Sequence, residues 1–288
     1  MAGTGGRTWF RVAGEPASGV PLVTLHGGPG ATHEYLLSLA ALAERGRPVI
    51  HYDQLGNGRS TRLPDNGPEF WTVELFLGEL DAVLDAAGAT DAYHLLGHSW
   101  GGMLAAEHAI RQPAGLRSLV IADSPASIRT WMSEAERLRK ELPADVQEAL
   151  GRHEEAGTLE DPEYLDATRV YYERHVCRVV PFPPEVTASF SAIDADPTVY
   201  HSMWGPTEFL CTGTLGAWDI TDGLERITAP TLVVSGRFDE ATPLVVAPFL
   251  DRVPHSRWEV FEESSHLPHV EETERYLHVV GDFLDLHD

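Results

Sequence analysis

Leu95-Leu96-Gly97-His98-Ser99-Trp100-Gly101-Gly102 is the stretch on which the fold turns. Two leucines end an apolar run, a Gly-x-Ser-x-Gly turn follows, and Met103 to Ile110 reads as a helix. A serine between two glycines, after a strand and before a helix, sits on a sharp turn with its hydroxyl lifted above the sheet. Glycines at 97 and 101 let the backbone turn without Cβ clashes. The helix start that follows favours negative charge near the serine. An ordinary glycine-rich turn is the competing reading, and the strand–turn–helix context argues against it.

Outward from this turn, short apolar runs alternate with helical patterns. Val20 to Leu25, Pro48 to Tyr52, Leu95-Leu96 and Leu119-Val120-Ile121 read as buried strands. Val73, Phe76, Leu77, Leu80, Leu84 and Ala87 share one helical face, closed by Gly88. Strand–helix alternation predicts an α/β fold with a mostly parallel sheet covered on both faces. The alternation stops after Ala122. From 127 to 222 the sequence reads as helix, with Trp131, Ala135, Leu138 and Leu142 on one face and prolines 181, 183, 184, 197 and 206 as punctuation. Strand pattern resumes at Pro230 to Val234, and Tyr276, Leu277, Val280, Phe283 and Leu284 form a last helical face. The expected organisation is a core of 1–126 and 223–288 with a helical cap over 127–222.

A serine nucleophile needs a base, and the base needs an orienting acid. In the α/β-hydrolase fold, whose sheet is of eight-strand type, they follow in the order Ser, acid, His. Asp239 follows the strand Leu232 to Gly236, at a carboxyl end where such sheets place their chemistry. His266 comes later, after the short strand Trp258 to Phe261. The expected triad is therefore Ser99, Asp239 and His266. His269 is a second candidate base, although Pro268 marks it as a helix start. Asp123, after an earlier strand, is a second candidate acid. His98 is expected to point away from Ser99.

His26-Gly27-Gly28-Pro29-Gly30 follows the strand ending at Leu25. Glycines there let backbone N–H groups approach a developing oxyanion. The hole is assigned to the amides of Gly28 and Trp100, the residue after the nucleophile. A phosphate-cradling loop is the alternative, but the lysine of a P-loop is missing.

With these motifs and Asp53-Gln54-Leu55-Gly56-Asn57-Gly58-Arg59-Ser60, the chain resembles the proline iminopeptidases and their relatives among the α/β hydrolases, over nearly its whole length. The resemblance implies cleavage of an acyl bond next to a free amine. Trp204-Gly205-Pro206-Thr207-Glu208-Phe209 and Gly236 to Pro243 are similar to that family's amine-recognition elements. By that resemblance Glu208 and Glu240 hold the substrate's α-ammonium group. Either glutamate alone also reads as a solvated residue in so acidic a chain. The Trp100 indole is expected to pack sideways, leaving the substrate free. Tyr35, Phe70, Trp71, Tyr200 and Trp204 are candidates for a pocket or for core.

The bulk numbers narrow the classes. In 288 residues, 43% hydrophobic and 23% charged, there is enough chain for a large core. Twenty-one Lys plus Arg against 44 Asp plus Glu give a net charge of −23. Such a surface repels a nucleic-acid backbone, whose binding runs on basic side chains. It suits solubility, or attraction of cationic substrates. Cys177 and Cys211 have neither CxxC nor metal spacing and read as free thiols. Met1 to Arg7 holds no apolar run of signal-peptide type, and no stretch has membrane-spanning length, so a cytoplasmic enzyme is expected. No metal or organic cofactor is implied, and oligomeric state is not encoded in any motif.

The expected function is removal of an N-terminal aminoacyl residue from a small amide or short peptide by a serine hydrolase. A carboxylesterase, lipase or thioesterase using the same triad is the alternative. A ligand receptor that keeps the triad is a third reading, marked by very slow turnover. Epoxide hydrolases and dehalogenases carry Asp where this chain has Ser99.

Overall fold

The computed structural model describes residues 6–15 and 19–288. The expectation drawn from Met1 to Gly5 lies outside these. Among the described residues the sheet has seven strands in the order β1-β3-β2-β4-β5-β6-β7. They are β1 (Trp9–Ala13), β2 (Leu22–Leu25), β3 (Val49–Asp53), β4 (Tyr93–His98), β5 (Leu116–Ala122), β6 (Thr231–Gly236) and β7 (Ser256–Phe261). All neighbours run parallel except β1, which pairs antiparallel with β3. The sheet is thus one strand short of the eight-strand type, and no described element precedes β1. Every residue of β2, β3, β4 and β6 is buried, as a sheet covered on both faces requires. β1 is an edge strand of mixed exposure, and the sequence reading did not include it.

The core helices are α1 (Val73–Ala86), α2 (Trp100–Ile110), α8 (Pro243–Arg252), α9 (Pro268–Glu271) and α10 (Thr273–Asp285). Thr72 caps α1 by accepting the Leu75 N–H, and the helix buries Phe76, Leu80, Val83 and Leu84. A 3₁₀ stretch at His33–Arg45 packs on α10 and was not foreseen.

Between β5 and β6 come α3 (Ile128–Arg139), α4 (Ala144–Ala156), α5 (Pro162–His175), α6 (Pro184–Ala195) and α7 (Thr198–Met203). The foreseen face of Trp131, Ala135, Leu138 and Leu142 is buried. Ala135, Leu138, Leu150, Tyr164, Tyr171 and Phe209 belong to an apolar cluster of this segment's own. Ile128, Trp131, Val199 and Met203 join the main core instead. Cys177 and Cys211 are both free thiols. No helix among the described residues is long and apolar enough to cross a membrane.

Candidate active site

The site lies at the carboxyl ends of the parallel strands. Ser99 stands between β4 and α2 at φ 56° and ψ −123°, a left-handed φ that a serine adopts only under constraint. The constraint is visible. The Ser99 N–H donates to the Ala122 carbonyl at 2.9 Å, and the Ser99 carbonyl accepts the Gly102 N–H at 2.8 Å. A Cβ at Gly97 would lie 2.0 Å from the Gly101 carbonyl oxygen, and one at Gly101 would lie 2.1 Å from that of Leu25. Only glycine fits either place, so the motif is a packing requirement of strand and helix.

Asp239 follows β6 and His266 lies beyond β7. The His266 Nδ1 hydrogen-bonds Asp239 Oδ1 at 2.8 Å, and the Ala241 N–H donates to the same oxygen at 2.8 Å. All three candidate triad residues are buried. The loop of His266 is held by α9: the Ser265 N–H and hydroxyl donate to the two oxygens of Glu271 at 2.6 and 2.9 Å. His269 occupies α9 and stacks near Tyr35, His98 and Tyr276. Burial pushes its imidazole down to about 3. Ser99, His266, Gly27 and Gly28 line one cavity with Glu208 and the apolar side chains Val176, Val186, Phe190, Ile193 and Leu267.

The glycine loop after β2 is tied to the elbow through Asp53 to Ser60. The Gln54 N–H donates to His26 Nε2 at 2.9 Å, its amide donates to the His26 carbonyl at 2.8 Å, and its Oε1 accepts the Trp100 indole N–H at 2.7 Å. The indole therefore packs sideways, as expected. Its own backbone amide opens α2, where N–H groups have no intrahelical partner. The Gly27 N–H is committed to the Tyr35 hydroxyl at 2.6 Å. Gly28 lines the cavity beside it.

Tyr35, read from sequence as pocket or core, and His98, expected to point away from Ser99, both line the cavity with Ser99. Tyr35 accepts from Gly27, so its own hydroxyl proton goes to His98 Nδ1 at 2.9 Å. His98 Nε2–H then donates to the His266 carbonyl at 2.7 Å. This chain assigns His98 a neutral tautomer. Burial, with His266 beside it, holds its imidazole well below the ordinary range. His98 lines the cavity, its ring 4.7 Å from that of His266. No local pattern signals a relay joining residues far apart in the sequence.

Glu208 lies on the cavity wall, and its Oε1 accepts the Tyr200 hydroxyl at 2.8 Å. Its carbonyl accepts the Trp131 indole N–H at 3.2 Å, which locks its backbone. Glu240 is fully buried and does not itself line the cavity, and the Tyr171 hydroxyl lies against its carboxyl. Burial, then the charges of Glu208 and Asp239, raise the Glu240 carboxyl well above its usual range; burial also raises Glu208, against His266 and the Tyr200 hydroxyl. Trp71 and Trp204 are core, whereas Tyr35 lines the cavity, Tyr200 holds Glu208 and Phe70 is half-buried.

A mostly parallel sheet with a serine elbow after β4, a His–Asp pair after β6 and β7 and a glycine loop after β2 define an α/β hydrolase. Residues 20–273 match the α/β hydrolase fold family. A proline iminopeptidase of Heyndrickxia coagulans is 42% identical over 98% of this chain and 96% of its own. The solved structure of VinJ is 54% identical with a TM-score of 0.98, covering 99% of this chain and 97% of that one. That of a proline iminopeptidase from Mycobacterium smegmatis is 50% identical with a TM-score of 0.93, covering 99% and 96%. The chain belongs to the proline iminopeptidase family of α/β hydrolases.

Proposed function

We propose that this chain is a serine aminopeptidase or aminoacyl amidohydrolase, which releases an N-terminal aminoacyl residue from a small amide or short peptide. The observation that carries this reading is one cavity lined by Ser99, His266 and the buried carboxylate of Glu208. A substrate ammonium with an ordinary value near 8 is charged at neutral pH, and burying it needs paired, hydrogen-bonded carboxylates. Burial raises the carboxyls of Glu208 and Glu240, and the charge of Glu208 adds to the shift at Glu240; an arriving ammonium supplies the positive charge that both lack. The net charge of −23 favours approach of such a cation.

Ser99 attacks the carbonyl while His266 takes its proton, and Asp239 orients the imidazole through Nδ1. The amides of Gly28 and Trp100 receive the oxyanion. With the Gly27 N–H spent on Tyr35, Gly28 supplies the loop's donor. His266 then protonates the leaving amine, and water hydrolyses the acyl-enzyme. Residues 127–222 act as a cap on the core of 1–126 and 223–288, a reading supported by the segment's own apolar cluster. The free thiols support a reducing, cytoplasmic setting.

The test is hydrolysis of aminoacyl p-nitroanilides and amides of Pro, Ala, Gly, Leu, Phe and D-Ala, each with a free or acetylated amine. Cleavage of the free-amine members alone is expected, and the fastest one names the released residue. Cleavage that ignores acetylation moves the protein to the carboxylesterase or thioesterase reading.

A further inference from the structure

Asp123 is a buried carboxyl beside the candidate triad that the proposed reaction leaves without a task. It follows β5 as Asp239 follows β6, and the two strands pair at Ala122 and Val234. The Asp123 N–H donates to the Val234 carbonyl at 2.8 Å, and its φ of 53° is left-handed. Strain of that kind persists only where surrounding structure imposes it.

Its surroundings pose a hydrogen-bonding problem. One ligand atom each from Asp123, Asp239 and His266 lies within 4.8 Å of the others. Asp239 Oδ1 is saturated by His266 and Ala241. Asp239 Oδ2 and both Asp123 oxygens are buried with no hydrogen-bond partner among the described residues. Two ionised carboxylates, both acceptors only, have no way to relieve each other. A single proton between them does.

We propose that Asp123 is a neutral carboxylic acid that donates its O–H to Asp239 Oδ2, fixing the Asp239 carboxylate so that Oδ1 stays on His266 Nδ1. Asp123 is thus a positioning residue acting through Asp239, and the proposal rests on the triad reading given above. The groups around it agree. His98 faces it with Nε2 at 3.8 Å from Asp123 Oδ2, but that imidazole is held neutral. Tyr35 and Tyr276 face it as phenols raised by burial, and Glu271 adds a further negative influence. Among these groups the one able to bring positive charge is His266 during turnover. Burial first, then the Asp239 charge, raise the Asp123 carboxyl well above the carboxylate range, against the nearby Gly236 N–H.

The experiment compares Asp123→Asn with Asp123→Leu. The asparagine keeps an N–H donor for Asp239 and changes no charge if Asp123 is neutral. It is expected to rescue kcat to within about threefold of wild type and to leave the acid limb of the kcat/KM profile in place. If Asp123 is ionised instead, the same variant removes a negative charge and moves that limb down by roughly a unit or more, which overturns the proposal. Asp123→Leu orphans Asp239 Oδ2 and is expected to lower kcat about tenfold with KM held. An unchanged kcat there means that Asp123 only fills space. The infrared difference between wild type and Asp123→Asn at neutral pH gives a readout free of turnover. It should contain the carbonyl band of a neutral carboxylic acid, and its absence sinks the proposal even if the leucine variant does not fold. An active Ser99→Ala enzyme would sink the triad reading and leave that band untouched.

Discussion

The sheet edge and the helical segment over it bring different things to the cavity. The sheet edge supplies Ser99, Asp239, His266 and the glycine loop, held largely by backbone hydrogen bonds at strand ends, with the His266 N–H reaching the His175 carbonyl of α5. The helical segment supplies Glu208 and the apolar wall of Val176, Val186, Phe190 and Ile193, held by side chains such as Tyr200 and Trp131. Groups pinned by backbone geometry suit bond-making, which tolerates little misplacement. Groups carried by packed side chains suit selectivity, because a change there alters which substrate fits and leaves the reacting atoms in place. The two regions should therefore fail in different ways.

The largest effect belongs to the sheet edge. Ser99→Ala should lower kcat by about 10⁶-fold on every substrate the enzyme accepts, free or acetylated. The check is turnover by pure protein, with a covalent serine-directed probe reporting loss of labelling. If the variant keeps activity on one substrate class alone, the division of labour between the regions fails with it.

Next comes Glu208→Ala, which removes one partner of a buried charge pair. It should lower kcat/KM on free-amine substrates by about 2–5 kcal/mol, between tens-fold and thousands-fold. Acetylated substrates, which carry no charge to pair, should gain relative to free ones. Equal losses on both classes would mean that Glu208 supports the fold of the wall and does not read the amine.

The same division explains what was legible in the sequence. The elbow is readable because its chemistry is local: Gly97 and Gly101 are the residues a 2 Å approach of backbone demands, and the strand and helix flank them directly. Asp239 and His266 are readable because chain order and strand ends fix them. His269 and Asp123 fit the same positional rule, and only the hydrogen bond from His266 Nδ1 to Asp239 separates them in space. The relay from Tyr35 through His98 to the His266 carbonyl escaped notice because it joins residues far apart in the sequence. β1 escaped because an edge strand is only partly covered, so its apolar and charged residues follow no clean pattern. For Glu208 the sequence offered only a family likeness, since its place depends on how Tyr200 and Trp131 pack. Glu240 is fully buried and does not line the cavity, but its carboxyl feels the charge of Glu208.

Glu79 sharpens the comparison from the core side. It is a buried carboxylate on α1 that serves the loop linking the glycine motif to the elbow, accepting the Leu55 N–H at 2.8 and 3.1 Å and the Thr8 hydroxyl. Burial pushes it up to about 7, against these hydrogen bonds. Its folded value thus stands above the unfolded 4.5. Below pH 4.5 both states hold the proton and Glu79 adds no pH dependence. As pH rises towards 7 the unfolded chain releases its proton first, so stability falls, by about 3 kcal/mol once the folded carboxyl has ionised. Glu79→Gln stays neutral throughout and keeps an acceptor for Leu55. Urea unfolding at pH 5 and pH 8 should show that the loss of stability between them shrinks by about 2.5 kcal/mol in the variant, while its preference for free over acetylated amines matches wild type. A pH slope that the substitution leaves intact refutes the ionisation of Glu79 as its source. A changed amine preference would tie the core loop to selectivity and dissolve the boundary between the two regions.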